Sequence, residues 1–312
     1  MPDIRIGISG WTYGPWRGKF YPPGLVQNRE LPYASRKLNS IEINGSFYSL
    51  QRPSSYAEWY RQTPEDFIFS VKGGRFITHM KKLRDVEDAT ANFFASGLLA
   101  LREKLGPILW QFPPNLGMDL ERFEKFFQLI PRDTREAAKL ASHHTEKLKG
   151  RALAKADVNI PLRHCVEIRH PSFLTEDFVA LLRRHDVSLV FADTAGIWPY
   201  TEDVTSDFIY IRLHGAEQIY WSSYSDQMLD WWQSRIELWS KGLSPCDGRC
   251  VTTKKPRRRN RDVYVYFDND AKVAAPFDAM RLAERLGARP DTFEEAEQLV
   301  GKPRTRERIM SA

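Results

Sequence analysis

Eight short apolar runs punctuate this chain, and each ends on a charged or hydrogen-bonding residue. They cover residues 4–9, 40–44, 67–72, 108–111, 165–169, 188–193, 208–214 and 263–268. Helix-forming stretches separate most of them. Strand–helix alternation repeated eight times predicts an α/β fold: one parallel sheet, its strands in sequential order, closed into a single (β/α)8 TIM-like barrel. Barrel enzymes keep their chemistry at the C-terminal ends of the strands, and that is where the polar residues fall here.

The helices are expected over 29–38, 53–62 (proline at its start), 86–104, 120–129 (capped by Asp119), 175–185, 226–242 and 275–286. Glycine- and proline-rich stretches at 10–24, 73–82 and 193–207 read as loops. The 312 residues exceed the roughly 250 that a bare barrel uses, so one domain over 1–300 must carry insertions. Two stand out: 132–161, read as extra outer helix after the fourth barrel helix, and 242–260, read as a basic, disordered insertion before the eighth strand. The polar tail 301–312 is read as disordered too.

The net charge of +6 has one source. Residues 241–262 hold eight of the chain's basic side chains against Asp247 and Asp262, and the rest of the chain is neutral. A solvated loop of this kind attracts phosphate, so non-specific nucleic acid is a conceivable partner for it. Because it enters a strand from its N-terminal end, it is expected at the barrel's bottom, away from the mouth. No apolar run is long enough to cross a bilayer, so no membrane partner is expected. Met1-Pro2-Asp3-Ile4-Arg5 reads directly into a strand, with no secretory signal, and three cysteines without a framework suit the cytoplasm. Cys246 and Cys250 form a lone C-x3-C with no second ligand pair, which argues against zinc. There is no Walker A loop, dinucleotide glycine fingerprint or GxSxG elbow, and no cofactor is expected.

Residues two apart on a strand share a face. Charges cannot be left unpaired against helices, but they can sit inside a barrel near its rim. Glu42, Lys72, Gln111, Glu167, Arg169, Asp193, Arg212 and His214 are therefore expected around one mouth, with Asn44 beside Glu42. Tyr266 lies on the same face of the last run, and Asp268, Asn269 and Asp270 follow at the rim. Trp11, Trp16, Tyr13, Phe47, Tyr48, Tyr220 and Tyr224 on adjoining loops offer flat stacking surfaces. The expected roles are anion binding by Lys72, Arg169 and Arg212, and acid–base work by Glu42, Glu167, Asp193 and His214. Tyr48, Trp11, Asn44, Gln111, Tyr266 and Asn269 complete the ligand shell. The cations match the carboxylates charge for charge, which favours a small anionic ligand over a metal site. A hydrolase or isomerase fits best. A metal-dependent phosphodiesterase of nucleic acid, by analogy with endonuclease IV, and a non-catalytic binding barrel are the alternatives.

Several blocks carry a family likeness: Gly7-Ile8-Ser9-Gly10-Trp11, Trp16-Arg17-Gly18-Lys19-Phe20-Tyr21-Pro22, Ile41-Glu42-Ile43-Asn44-Gly45-Ser46-Phe47-Tyr48, Phe69-Ser70-Val71-Lys72 and Ile77-Thr78-His79. Further on come Trp110-Gln111-Phe112-Pro113-Pro114, Glu167-Ile168-Arg169-His170-Pro171-Ser172-Phe173, Tyr210-Ile211-Arg212-Leu213-His214-Gly215 and Tyr264-Val265-Tyr266-Phe267-Asp268-Asn269-Asp270. With these the chain resembles the YecE-like family, also called domain of unknown function 72. The resemblance implies a TIM-like barrel and no established reaction. The chain departs from the family pattern at Gly45, where the family tends to have serine.

Overall fold

A computed structural model of the chain describes residues 2–215, 217–269 and 273–300. Each apolar run forms a strand: β1 Ile4–Ser9, β2 Ser40–Ile43, β3 Ile68–Lys72, β4 Leu105–Gln111, β5 His164–Glu167, β6 Val187–Asp193, β7 Phe208–Leu213 and β8 Asp262–Phe267. Neighbours in sequence pair in parallel, and β8 returns to β1 from Ile4↔Val263 to Ile8↔Phe267, closing the barrel. Helices lie between most of the strands.

Alternate residues of each strand face inward. The lower interior is a buried cluster of Leu109, Cys165, Val190, Ala192, Phe208, Tyr210, Tyr264 and Tyr266. Its hydroxyls are satisfied across the barrel, with Tyr266 Oη 2.7 Å from Ser40 Oγ and Tyr210 Oη 2.9 Å from Ser70 Oγ. Buried hydroxyls need such partners, and these fix the height at which the polar layer above them begins.

The helix Pro53–Gln62 begins on its proline, and Leu120–Leu129 is capped by Asp119, whose side chain accepts from Arg122 N at 3.1 Å. The single helix expected over 86–104 is instead broken. Glu87–Ala95 is helical, then Gly97 adopts φ +117°, and Leu98–Lys104 continues in tight 3-10 turns. A Cβ at Gly97 would stand 2.4 Å from Pro53 Cα, so only glycine lets the chain pass there. The loop expected at 73–82 contains one helical turn, Phe76–Met80. Residues 132–161 do carry an outer helix, Thr134–Ala141, capped by Asp133 through Arg135 N and Glu136 N at 2.8 Å each.

The connection from β6 to β7 has no helix, and much of 201–206 is nevertheless buried. Part of the basic insertion packs against it. Glu202 N donates to Arg249 O at 2.7 Å, and Asp203 accepts from Val251 N at 2.7 Å and Thr252 N at 3.1 Å. The later, more basic part sits low as expected. Arg259 lies 3.7 Å from Asp186, and Arg261 Nε donates to Ser206 O at 3.2 Å, both just below the starts of β6 and β7. The tail 301–312 and Asp270 lie outside the described residues.

Candidate functional site

Arg212 sits at the centre of the barrel, with no solvent exposure. Strand parity places Tyr210 and Arg212 inside, directly opposite Glu42 of β2. The guanidinium donates to Glu42 Oε1 at 2.8 Å and Oε2 at 3.1 Å, to Glu167 Oε2 at 2.6 Å and to Asp268 Oδ2 at 2.9 Å. Its Nη1 is also 3.2 Å from His214 Nε2. The other ring nitrogen, Nδ1, lies 3.0 Å from Asp268 Oδ2 but makes no hydrogen bond among the described residues. Glu42 further accepts from Ser9 Oγ at 2.9 Å and Tyr210 Oη at 2.6 Å.

This layer is a closed charge network. Burial alone pushes the Glu167 carboxyl up, but Arg212, Arg169 and His214 together outweigh it and hold Glu167 well below the usual carboxylate range. Asp268 behaves likewise: burial opposes ionisation, yet Arg212 and His214 bring it down to about 2. Burial disfavours the charge on Arg212, but Glu42, Glu167 and Asp268 drive it well above its ordinary value.

Above the network opens a cavity of about 800 Å³. Among the described residues its charged lining is Lys72, Arg75 and Arg169 against Asp268, with His79, Asn44 and Gln111 as further polar groups and Tyr13, Phe47, Tyr48 and Tyr220 as aromatic walls. Arg169 is fixed before any ligand arrives. Its Nε donates to Glu167 Oε1 at 2.9 Å, its Nη2 is 3.3 Å from Tyr220 Oη, and its plane covers Trp198 at 3.6 Å from the ring centroid. Gln111 Nε2 donates to the same Glu167 oxygen at 2.8 Å. Burial, then the neighbouring Arg212, lowers Lys72 to about 8. Burial, then Lys72 and Arg169, lowers His79 to about 4, so its ring is uncharged at neutral pH.

Of the residues expected at the mouth, Glu42, Lys72, Glu167, Arg169, Arg212, His214, Gln111, Asn44 and Tyr48 are brought together here. Their division of labour differs from the expectation. Glu42 and Arg212 are wholly buried and satisfied by one another, so they form the floor of the site, and Arg212 has no donor to spare for an anion.

Four expected residues lie elsewhere. Asp193 has the outward parity, because Ala192 faces the interior. Its Oδ2 accepts from Tyr224 Oη at 3.0 Å, and burial pushes its carboxyl up. It lines a separate cavity of about 360 Å³ with Trp198, Tyr200, Glu202, Arg235, Asp247 and Arg249. The insertion therefore reaches beyond the barrel's bottom, up to the top of β6. Trp11 packs edge-on to Trp59 at 5.2 Å and near Phe69 at 6.4 Å. Tyr266 is fully buried beneath the charge network. Asn269 anchors the loop after β8, donating to Ser222 O at 3.0 Å and Asp278 Oδ2 at 2.9 Å. Trp16 and Tyr224, expected as stacking surfaces, are packing residues with 0% and 1% exposure.

Arg75 and His79 were missed as site residues. Both sit on the loop after β3, where strand parity gives no guidance; only the block Ile77-Thr78-His79 hinted at the histidine. Among the described residues, no group of three or more His, Cys, Asp or Glu side chains is arranged to hold a metal ion. The carboxylates that would supply one are turned onto the Arg212 guanidinium instead.

Comparison with known proteins agrees with this architecture. The crystal structure of a DUF72 family protein from Thermotoga maritima superposes with a TM-score of 0.69 at 24% identity, covering 91% of this chain and 99% of that one. One from Enterococcus faecalis superposes with a TM-score of 0.64 at 18% identity, covering 91% and 95%. Among curated sequences, the UPF0759 protein YunF of Bacillus subtilis is 29% identical over 116 residues, which is 36% of this chain and 40% of YunF. The UPF0759 protein YecE of Escherichia coli is 29% identical over 129 residues, 41% of this chain and 44% of YecE. The matched segments thus span well under half the length of these curated relatives. The family profile described as "Protein of unknown function DUF72" matches residues 5–303, and the chain belongs to that family.

Proposed function

We propose that this barrel is an enzyme of the isomerase or hydrolase type acting on a small anionic, phosphorylated or sugar-like molecule bound in the mouth. One observation carries the reading: among the described residues, a cavity of about 800 Å³ has three cationic side chains and one carboxylate as its charged lining. That volume suits a metabolite-sized ligand. Arg169, stacked on Trp198 and tied to Glu167, offers a pre-oriented fork for phosphate or carboxylate, and Arg75 adds charge at the rim. The aromatic walls provide flat surfaces for a sugar ring. Asp268, ionised and facing His214 Nδ1, and the uncharged His79 are the groups placed to move protons.

Calorimetry with inorganic phosphate, glycerol 3-phosphate, glucose 6-phosphate and glucose tests this. The phosphates should bind, increasingly weakly as salt rises, and glucose alone should not. Arg169→Ala should weaken phosphate binding at least about tenfold, the equivalent of about 1.4 kcal/mol. Equal binding of glucose and its phosphate, or an Arg169→Ala variant with unchanged affinity, would sink the proposal.

A further inference from the structure

We propose that Lys72 is the nucleophile of this site, forming an imine with the carbonyl carbon of a small aldehyde or ketone that carries a phosphate or carboxylate. This rests on the mouth being an anion site, as proposed above.

Three lysines are buried among the described residues, and two of them have evident structural partners. Lys104 Nζ donates to Tyr60 O at 2.8 Å and Thr63 O at 2.9 Å, and Lys37 Nζ pairs with Glu297 at 2.8 Å. Lys72 is different. It ends β3, at the catalytic end of the barrel, and lines the mouth cavity. Among the described residues its Nζ has no hydrogen bond and no carboxylate within ion-pair distance; the contact it does make is with the Phe47 ring, 4.5 Å to the centroid. Its side chain is largely buried, yet its Nζ faces the mouth cavity rather than a protein acceptor, which is where a reacting ligand would meet it.

The groups around it favour the free amine. Arg212 from β7 and Arg169 after β5 repel the ammonium. Glu42, Glu167 and Asp268 would stabilise it, but their charge is already spent on Arg212. His79 from the loop after β3 is uncharged at neutral pH, and Arg75 of the same loop adds positive charge at the rim. The neutral fraction near pH 7–8 is therefore far larger than for a surface lysine, since Lys72 titrates at about 8.

The chemistry balances without an oxidant or reductant. The Nζ lone pair attacks the carbonyl carbon, and the carbonyl π pair moves to oxygen, which takes up a proton. The nitrogen of the resulting carbinolamine loses a proton to a base in the cavity, such as His79. The hydroxyl then takes a proton and leaves as water while the nitrogen lone pair forms C=N. Amine, carbonyl and one proton thus give a protonated imine plus water. An imine draws electrons from the adjacent C–H or C–C bond, which points to isomerisation or aldol-type chemistry rather than phosphoester hydrolysis. Arg169 and Arg75 would hold the anionic end.

The test is reductive trapping. The full chain is incubated with glyoxylate, pyruvate or dihydroxyacetone phosphate and sodium cyanoborohydride across pH 6–9, then mapped by peptide mass spectrometry. At least one probe should modify Lys72 about tenfold or more faster than exposed lysines, given its larger free-amine fraction. The rate should rise through about pH 8, inorganic phosphate should protect, and folded Lys72→Arg should give no adduct in that peptide. If phosphate binds by calorimetry but no probe favours Lys72, the nucleophile is wrong and the anion site stands. If neither phosphate binding nor a selective adduct is seen, both readings fall.

Discussion

Replacing Arg212 with methionine removes a buried cation while leaving most of its volume filled, so cavity formation contributes little to the outcome. Three carboxylates, Glu42, Glu167 and Asp268, then lose a partner that now sits within 2.9 Å of each. Breaking one buried ion pair costs about 3–5 kcal/mol, and here one guanidinium serves three acids, so the loss at pH 7.5 should be at least that large. It is a sizeable share of the roughly 5–15 kcal/mol that holds a domain together. The loss must depend on pH. In the native protein Glu167 and Asp268 are held below their ordinary values, so their contribution is present above pH 4–5 and fades as pH falls through the folded values. In Arg212→Met, burial acts unopposed and raises these acids, and the penalty grows as pH climbs above roughly 4. The gap between the two proteins should therefore be smaller near pH 4.5 and widen toward pH 7.5. Urea unfolding followed by tryptophan fluorescence at both pH values measures it. If Arg212→Met fails to fold at pH 7.5, adding Glu42→Gln and Glu167→Gln should restore folding by removing the orphaned charges. A gap under about 1 kcal/mol, or one that does not change with pH, would mean that water reaches the network and that the barrel floor is not closed.

Lys72→Met should stabilise the protein by roughly 1–3 kcal/mol at pH 7, because it deletes a buried cation without a carboxylate partner. The folded lysine titrates at about 8, below its ordinary 10.5, so the unfolded chain holds more protons between these values. Native stability thus rises with pH across that window, and the variant's advantage should shrink as it does. Melting temperatures at pH 7 and pH 10 read this, and a fall in melting temperature at pH 7 would reveal a partner for the ammonium. Asp193→Asn should leave phosphate binding in the mouth unchanged and alter stability by less than about 1 kcal/mol, since the amide oxygen can still accept from Tyr224. Lost phosphate affinity in that variant would place Asp193 in the mouth after all.

The strands were legible because a barrel strand is buried on both faces, and a short apolar run bounded by turn residues has few other ways to fold. Helices with a proline start or an acidic cap, such as Pro53–Gln62 and Leu120–Leu129, were legible from those residues alone. The break at Gly97 was not, because its cause is the approach of Pro53, far away in sequence. The site divides in the same way. Parity says which residues of a strand share a face, but in a run buried on both sides it does not say which face points inward. For Glu42, Glu167 and Arg212 charge settles the matter, since the helix-covered face offers nothing to pair with them. Asp193 obeys the same physics and gives the opposite result. The β6–β7 connection brings no helix to cover that end of the strand, and the space outside it is a polar cavity with Arg235 and Tyr200 in its wall. Arg235 pairs there with Glu202 and with Asp247 of the basic insertion, at 2.8 Å each. Where the barrel omits a helix, loop backbone and ion pairs of the insertion cover the gap, and Asp193, outward by strand parity, faces the polar cavity left there and accepts from Tyr224.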